Sequence, residues 1–139
     1  MATDFLERCD AIEECYEFML AYAGQGLLTD SGSQAGSQVR QFLQRSVHSL
    51  TGLTDSCARA VEELGLEPRD KYQNFFSVLD RDVQDSLAAI ELVLAQPAIS
   101  SQLIDNLNAS MHIRALLTDL FLIGEVVRTQ NKPAAIATE

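Results

Sequence analysis

The two histidines are the side chains whose surroundings offer the most scope for chemistry. His48 opens the sequence His-Ser-Leu-Thr-Gly over residues 48–52, and His112 closes the pattern Asp105-x-x-Asn108-x-x-x-His112. Residues four apart on a helix are neighbours, so Asn108 and His112 would meet on one helix face. An imidazole oriented by an amide and a carboxylate can hold a metal ion. His112, Asn108 and Asp105 are therefore the candidate metal-binding residues.

His48 is a second candidate, because it falls opposite the apolar stripe of its helix and is expected to be exposed. Its segment, residues 48–52, resembles the histidine phosphotransfer domains, four-helix bundles in which an exposed phospho-accepting histidine is followed by a pattern like His-x-x-Lys-Gly. The resemblance implies that His48 accepts phosphate and that Gly52 lets a receiver domain approach. Thr51 stands at the lysine position, so the cation that would hold a phosphoryl group is missing.

No other residue pattern indicates catalysis. The three cysteines, Cys9, Cys15 and Cys57, lack C-x-x-C spacing and have no histidine at ligand spacing. The sequence contains no G-x-S-x-G motif and no glycine-rich phosphate loop. We therefore expect neither an enzyme nor a bound cofactor. Reduced thiols and an N-terminus without a cationic or apolar signal region favour a cytoplasmic location.

Charge and hydropathy exclude two classes of partner. The formal net charge is −10, from 20 acidic residues against 10 lysines and arginines, and only Lys71 and Lys132 are lysines. Nucleic-acid binding needs clustered cations, and the chain has no basic run. Its most apolar segment, residues 113–127, is crossed by three charged residues. We expect no nucleic-acid partner and no membrane partner.

Apolar residues at helical spacing predict the elements that carry these side chains. The predicted helices span residues 4–23, residues 33–64, residues 69–95, and a last stretch from 100 or 101 to 130. Turn-forming residues over 24–34 predict one longer loop between the first two helices. Short turns elsewhere make neighbouring helices antiparallel. The expected fold is thus all-α, a four-helix up-down-up-down antiparallel bundle forming a single domain over residues 1–130, with a frayed tail over 131–139.

The first and last predicted helices carry more apolar surface than one small core needs. Either this surplus is covered within the monomer, or it packs against another protein chain. The residues expected at such an interface are Cys15, Phe18, Tyr22, Leu116, Leu120, Ile123 and Val127. The favoured function is non-catalytic protein binding, as a homodimer through these two helices or with a protein partner. The alternatives are phosphotransfer through His48, and a bundle that binds a metal or small ligand around His112.

Overall fold

The chain folds into helices joined by turns and one longer loop. The computed structural model describes residues 2–131. Within this range the helices are α1 (Ala2–Ala23), α2 (Gln34–Leu50), α3 (Leu53–Glu63), α4 (Arg69–Leu94), α5 (Ser101–Ala109) and α6 (Met111–Gln130). No strand occurs between residues 2 and 131, so the prediction of an all-α fold is confirmed. Apart from Asn131, the predicted frayed tail lies outside the described residues.

The four-helix bundle is not confirmed, because two of the four predicted helices are interrupted and the described residues form six. Between α2 and α3, Thr51 is extended and Gly52 has a left-handed φ of 83°. Between α5 and α6, Ser110 is extended, and its hydroxyl accepts a hydrogen bond from the backbone N–H of Ile113 at 3.3 Å. The helical spacing of apolar residues continues across both breaks, and for that reason the sequence pattern does not reveal them.

Side-chain contacts define how the helices run relative to one another. Phe18 of α1 stacks on Phe42 of α2 with ring centroids 4.1 Å apart, and Glu14 lies 3.3 Å from Arg45. Since residue numbers rise along α1 as they fall along α2, these two helices are antiparallel. α4 and α6 are antiparallel as well, because the Ser86 hydroxyl donates to the carbonyl of His112, whereas residues 72 and 75 lie beside residues 122–126.

The core runs the length of the molecule and takes side chains from every helix. The buried residues of α1 form an almost continuous stripe along the helix, whereas those of α6 cover a wide part of the helix circumference. The largest side chains that are completely buried are Tyr22, Phe5, Leu43, Leu50, Leu53, Leu79, Ile90, Ile99, Ile104, Leu116, Leu120 and Val39. Burial of this apolar surface is the main force that holds the helices together.

A hydrogen-bonded cluster ties the α1–α2 loop to the turn before α5. Asp30 accepts from the backbone N–H of Ile99 and from Nε of Arg40, both at 2.8 Å. Arg40 also donates to the carbonyls of Leu94 and Gln96, at 3.0 and 2.8 Å, and so holds the end of α4. The loop is therefore fixed at one end of the molecule by buried and half-buried polar contacts.

None of the helices within residues 2–131 has both the length and the apolarity needed to cross a lipid bilayer.

Candidate functional site

His48 is exposed, on the last turn of α2, and Gly52 lies four residues on in the break before α3. The positive φ of Gly52 gives this glycine a backbone role: it lets the chain change direction between the two helices. Arg8 is the cation beside His48, but one of its nitrogens donates to the carbonyls of His48, Ser49 and Thr51, at 3.4, 3.0 and 2.8 Å. The guanidinium thus caps the end of α2.

The surroundings of His48 are unfavourable for a phosphoryl group. The same surface depression is lined by Asp4 and Glu7, and Asp4 forms an ion pair with Arg8 at 3.0 Å. The C-terminus of a helix also carries the negative end of the helix dipole. The structure gives His48 solvent access but brings no free cation to it within the described residues.

The residues predicted to bind a metal are not brought together. Asn108 lies on α5 and is buried, whereas Asp105 and His112 are exposed. The break at Ser110 separates Asn108 from His112, so they do not share one helix face. Among residues 2–131 there is no group of three or more histidine, cysteine, aspartate and glutamate side chains arranged to hold a metal ion.

The cysteines are buried and offer no accessible nucleophile. Cys9, Cys15 and Cys57 are all free thiols in the core. Burial raises the pKa of both Cys9 and Cys57 to about 12. Burial also raises the pKa of Cys15, which is 0% exposed. A thiol that stays protonated is a weak nucleophile.

The side chains predicted to form an interface pack within the single chain. Six of them are at most 4% exposed: Cys15, Tyr22, Leu116, Leu120, Ile123 and Val127. Phe18 is half-buried, because it stacks on Phe42. These side chains pack mainly in the core of the single chain, and Ile123 also lines the open groove between α4 and α6. The surplus apolar surface of α1 is covered chiefly by α2, α3 and α5.

An apolar groove does remain open between α4 and α6. It has a volume of about 240 Å³ and is lined by Lys71, Tyr72, Phe75, Leu122, Ile123 and Val126. Leu122 is 59% exposed at its edge, and Val78 of α4, one turn beyond Phe75, is 42% exposed. We call the surface formed by these seven residues the α4/α6 face. It is the candidate functional site.

A pair of acidic side chains lies one helical turn beyond the α4/α6 face. Asp119 of α6 is only 6% exposed, and its Oδ2 has no hydrogen-bond partner. Burial first, and then the carboxyl of Asp82 on α4 within hydrogen-bonding reach, together raise the pKa of Asp119 to about 7. No lysine or arginine among the described residues forms an ion pair with either carboxyl. The pair is therefore an uncompensated site of negative charge.

Sequence reasoning missed most of this face. Of its seven residues, only Ile123 is among those predicted from the sequence to form an interface, whereas Leu122, Phe75 and Val78 are not. The sequence does contain a signal for this face: Phe75 and Val78 are three residues apart on one side of α4, beside the apolar stripe that packs in the core. Such a second stripe shows surplus apolar area, but only the packing of the helices decides whether a neighbour covers it.

No known protein-family model, curated protein or solved structure matches this chain.

Proposed function

We propose that this chain is a non-catalytic protein-binding domain that assembles through the α4/α6 face, with a second copy of itself as the simplest partner. The observation that carries the proposal is the open groove of about 240 Å³, whose lining is apolar apart from Lys71 and the Tyr72 hydroxyl. Contiguous exposed apolar surface on a folded domain commonly marks a protein interface. Leu92 and Met111 are also exposed, but they do not line this groove.

The arrangement of the helices supports this use. We infer that the six helices form four antiparallel segments: α1, α2 with α3, α4, and α5 with α6. The outer sides of the third and fourth segments together form the α4/α6 face. The buried free cysteines agree with a reducing, cytoplasmic setting for the domain.

Self-association of the full chain tests the proposal. Light scattering after sizing and native mass spectrometry should show a dimer whose population grows with protein concentration. Leu122→Glu places a charge at the edge of the groove, so this variant should be monomeric because the charge cannot be desolvated against an apolar partner surface. Circular dichroism should show unchanged helix content, since Leu122 is 59% exposed.

Leu92→Glu is the matched control. Leu92 is also on α4 and is 65% exposed, but it lies outside the groove. This variant should dimerise like the wild type. A wild-type protein that is strictly monomeric, or a dimer that Leu122→Glu leaves intact, would contradict the proposed surface.

A further inference from the structure

One side of α4 carries charges of opposite sign at its two ends. Lys71, Phe75, Val78 and Asp82 are spaced at i, i+4, i+7 and i+11. At 100° per residue these four positions fall within a narrow stripe along the helix. The order along that stripe is cation, aromatic, aliphatic, anion. The stripe forms one half of the α4/α6 face and ends at the acidic pair.

Neither end of the stripe has a strong partner among residues 2–131. Lys71 has a 73% exposed side chain, and its one ion pair among the described residues is with its neighbour Asp70, at 3.9 Å. Asp82 lies against Asp119, a second carboxyl. Lys71 and Asp82 are separated by three turns of α4, about 16 Å at 1.5 Å per residue, which is beyond the reach of a lysine side chain. They cannot form an ion pair within one molecule.

When two copies of this stripe are related by a two-fold axis, the cation of each copy faces the anion of the other. In a symmetric dimer, if residue i of one protomer contacts residue j of the other, then j also contacts i. With the axis passing between residues 76 and 77 and the two α4 helices antiparallel, Lys71 of one protomer meets Asp82 of the partner subunit. In the same register, Phe75 meets Val78 of the partner subunit. Because the groove is lined on α4 by residues 71, 72 and 75, the two grooves of the dimer then lie one on each side of the axis.

We propose that the α4/α6 face binds a second copy of this chain across a two-fold axis, with Lys71 of each protomer paired to the Asp82–Asp119 carboxyls of the other. This inference rests on the proposed function and adds to it the identity of the partner surface and its register. The intermolecular lysine supplies the positive charge that the acidic pair lacks within the described part of its own chain. The two ion pairs flank the apolar centre. They disfavour a parallel pairing, which would place like charges together, and shifted antiparallel registers, which would separate each lysine from its carboxylates.

A charge exchange tests the register directly. Lys71→Asp opposes two carboxylates in each contact, and Asp82→Lys opposes two ammonium groups. Each variant alone should dimerise at least about tenfold more weakly than the wild type by analytical ultracentrifugation, because like charges then meet at both ends. Mixing the two variants should give a heterodimer in native mass spectrometry, since every contact then joins an aspartate to a lysine. The double variant Lys71→Asp/Asp82→Lys should regain most of the wild-type affinity.

Arg81→Asp is the control for net charge. It changes the charge of α4 as much as Lys71→Asp does, but Arg81 is exposed and lies outside the stripe. It should leave dimerisation nearly unchanged. Thermal unfolding of each variant checks that it folds. If Asp82→Lys does not fold, Asp82→Asn replaces it as the variant that removes this carboxylate from the contact, and it should also weaken the dimer.

The possible outcomes distinguish an error in the proposed register from an error in the proposed binding function. If Leu122→Glu abolishes the dimer but the mixed variants stay monomeric, or the double variant is not rescued, the register is wrong and the binding face stands. If the wild type does not self-associate, both fail.

Discussion

Asp119 is a buried carboxyl whose protonation affects the stability of the fold. It is almost completely buried on α6, its Oδ2 has no partner, and its nearest titratable neighbour is the carboxyl of Asp82 on α4. Two adjacent carboxylates in a desolvated place repel each other, so the pair is most stable when one proton is shared. The native state therefore holds a proton that the unfolded chain gives up.

The sign of the pH dependence follows from that proton. The pKa of Asp119 is raised in the folded state from 3.8 to about 7. Between these values the native state binds more protons than the unfolded state, so the free energy of unfolding falls as the pH rises from about 4 to about 7. Asp119→Asn removes the charge and should increase stability at pH 8 by on the order of 1 to 3 kcal/mol.

Urea unfolding of the wild type and of Asp119→Asn at several pH values measures this effect. The variant should lose the decline in stability between pH 4 and pH 7 that is due to this group. Asp85→Asn, at an exposed carboxylate of α4, is the control and should follow the wild type. Equal pH profiles for wild type and Asp119→Asn would show that the carboxyl is ionised without penalty.

Gly52 offers a test of the break between α2 and α3. If residues 33–64 formed one continuous helix, Gly52→Ala would stabilise the protein, since alanine favours a helix interior. In the structure Gly52 has a φ of 83°, where a Cβ is strained. Gly52→Ala should instead lower the free energy of unfolding by about 1 to 2 kcal/mol.

The sign of this change decides between the two conformations. Gly52→Asn should lose less stability than Gly52→Ala, because asparagine tolerates the left-handed region better. Chemical denaturation of both variants measures the difference. A more stable Gly52→Ala protein would mean that the helix is continuous.

At the scale of the elements, the α1–α2 loop is held by Asp30. This carboxylate accepts one hydrogen bond from the backbone of Ile99 and another from Arg40. These two bonds, that from Ile99 first, hold the pKa of Asp30 below its usual value. Since the folded pKa is depressed, the stabilisation is complete above the ordinary pKa near 3.8 and is lost as the pH falls through the folded pKa.

Asp30→Ala should therefore release the loop from the turn before α5. We expect the free energy of unfolding at pH 7 to fall by about 2 to 3 kcal/mol, because hydrogen bonds to a charged group are lost and the N–H of Ile99 is left unpaired. Hydrogen exchange should accelerate at residues 27 and 101, whose backbone N–H groups bond across the same junction.

Asp105→Ala is the control at the same end of the molecule. Asp105 is exposed and takes no part in the junction. It should change stability by less than about 0.5 kcal/mol. A similar loss in both variants would mean that Asp30 is no more important than any surface carboxylate.

At the scale of the whole molecule, assembly through the α4/α6 face makes stability depend on protein concentration. A partner that binds the folded state alone stabilises it by mass action. The Tm of the wild type should therefore rise with concentration, while the Tm of Leu122→Glu should stay constant. Differential scanning calorimetry over a range of concentrations measures both, with Leu92→Glu as the control that keeps the wild-type slope. A wild-type Tm independent of concentration would contradict the dimer.

The sequence by itself determined the features that depend on local patterns. The 3.6-residue apolar period predicted the all-α fold, and turn-forming residues located the loop between α1 and α2. Ser100 was a predicted start of a helix, and its side chain does cap α5. Gly65 directly follows the predicted helix over residues 33–64, and it adopts the left-handed conformation that commonly ends a helix. Such signals lie within a few residues of what they specify, so they are readable without tertiary contacts.

Only the tertiary structure decided which apolar stripes are covered and which polar groups meet. Tyr22 and Leu120 looked available to a partner, but neighbouring helices bury both. Asp82 and Asp119 are 37 positions apart in the sequence, and only the antiparallel packing of α4 on α6 places their carboxyls together. Periodicity shows which side of a helix is apolar, whereas coverage depends on the arrangement of all the helices. For that reason the candidate site became visible only in the folded chain.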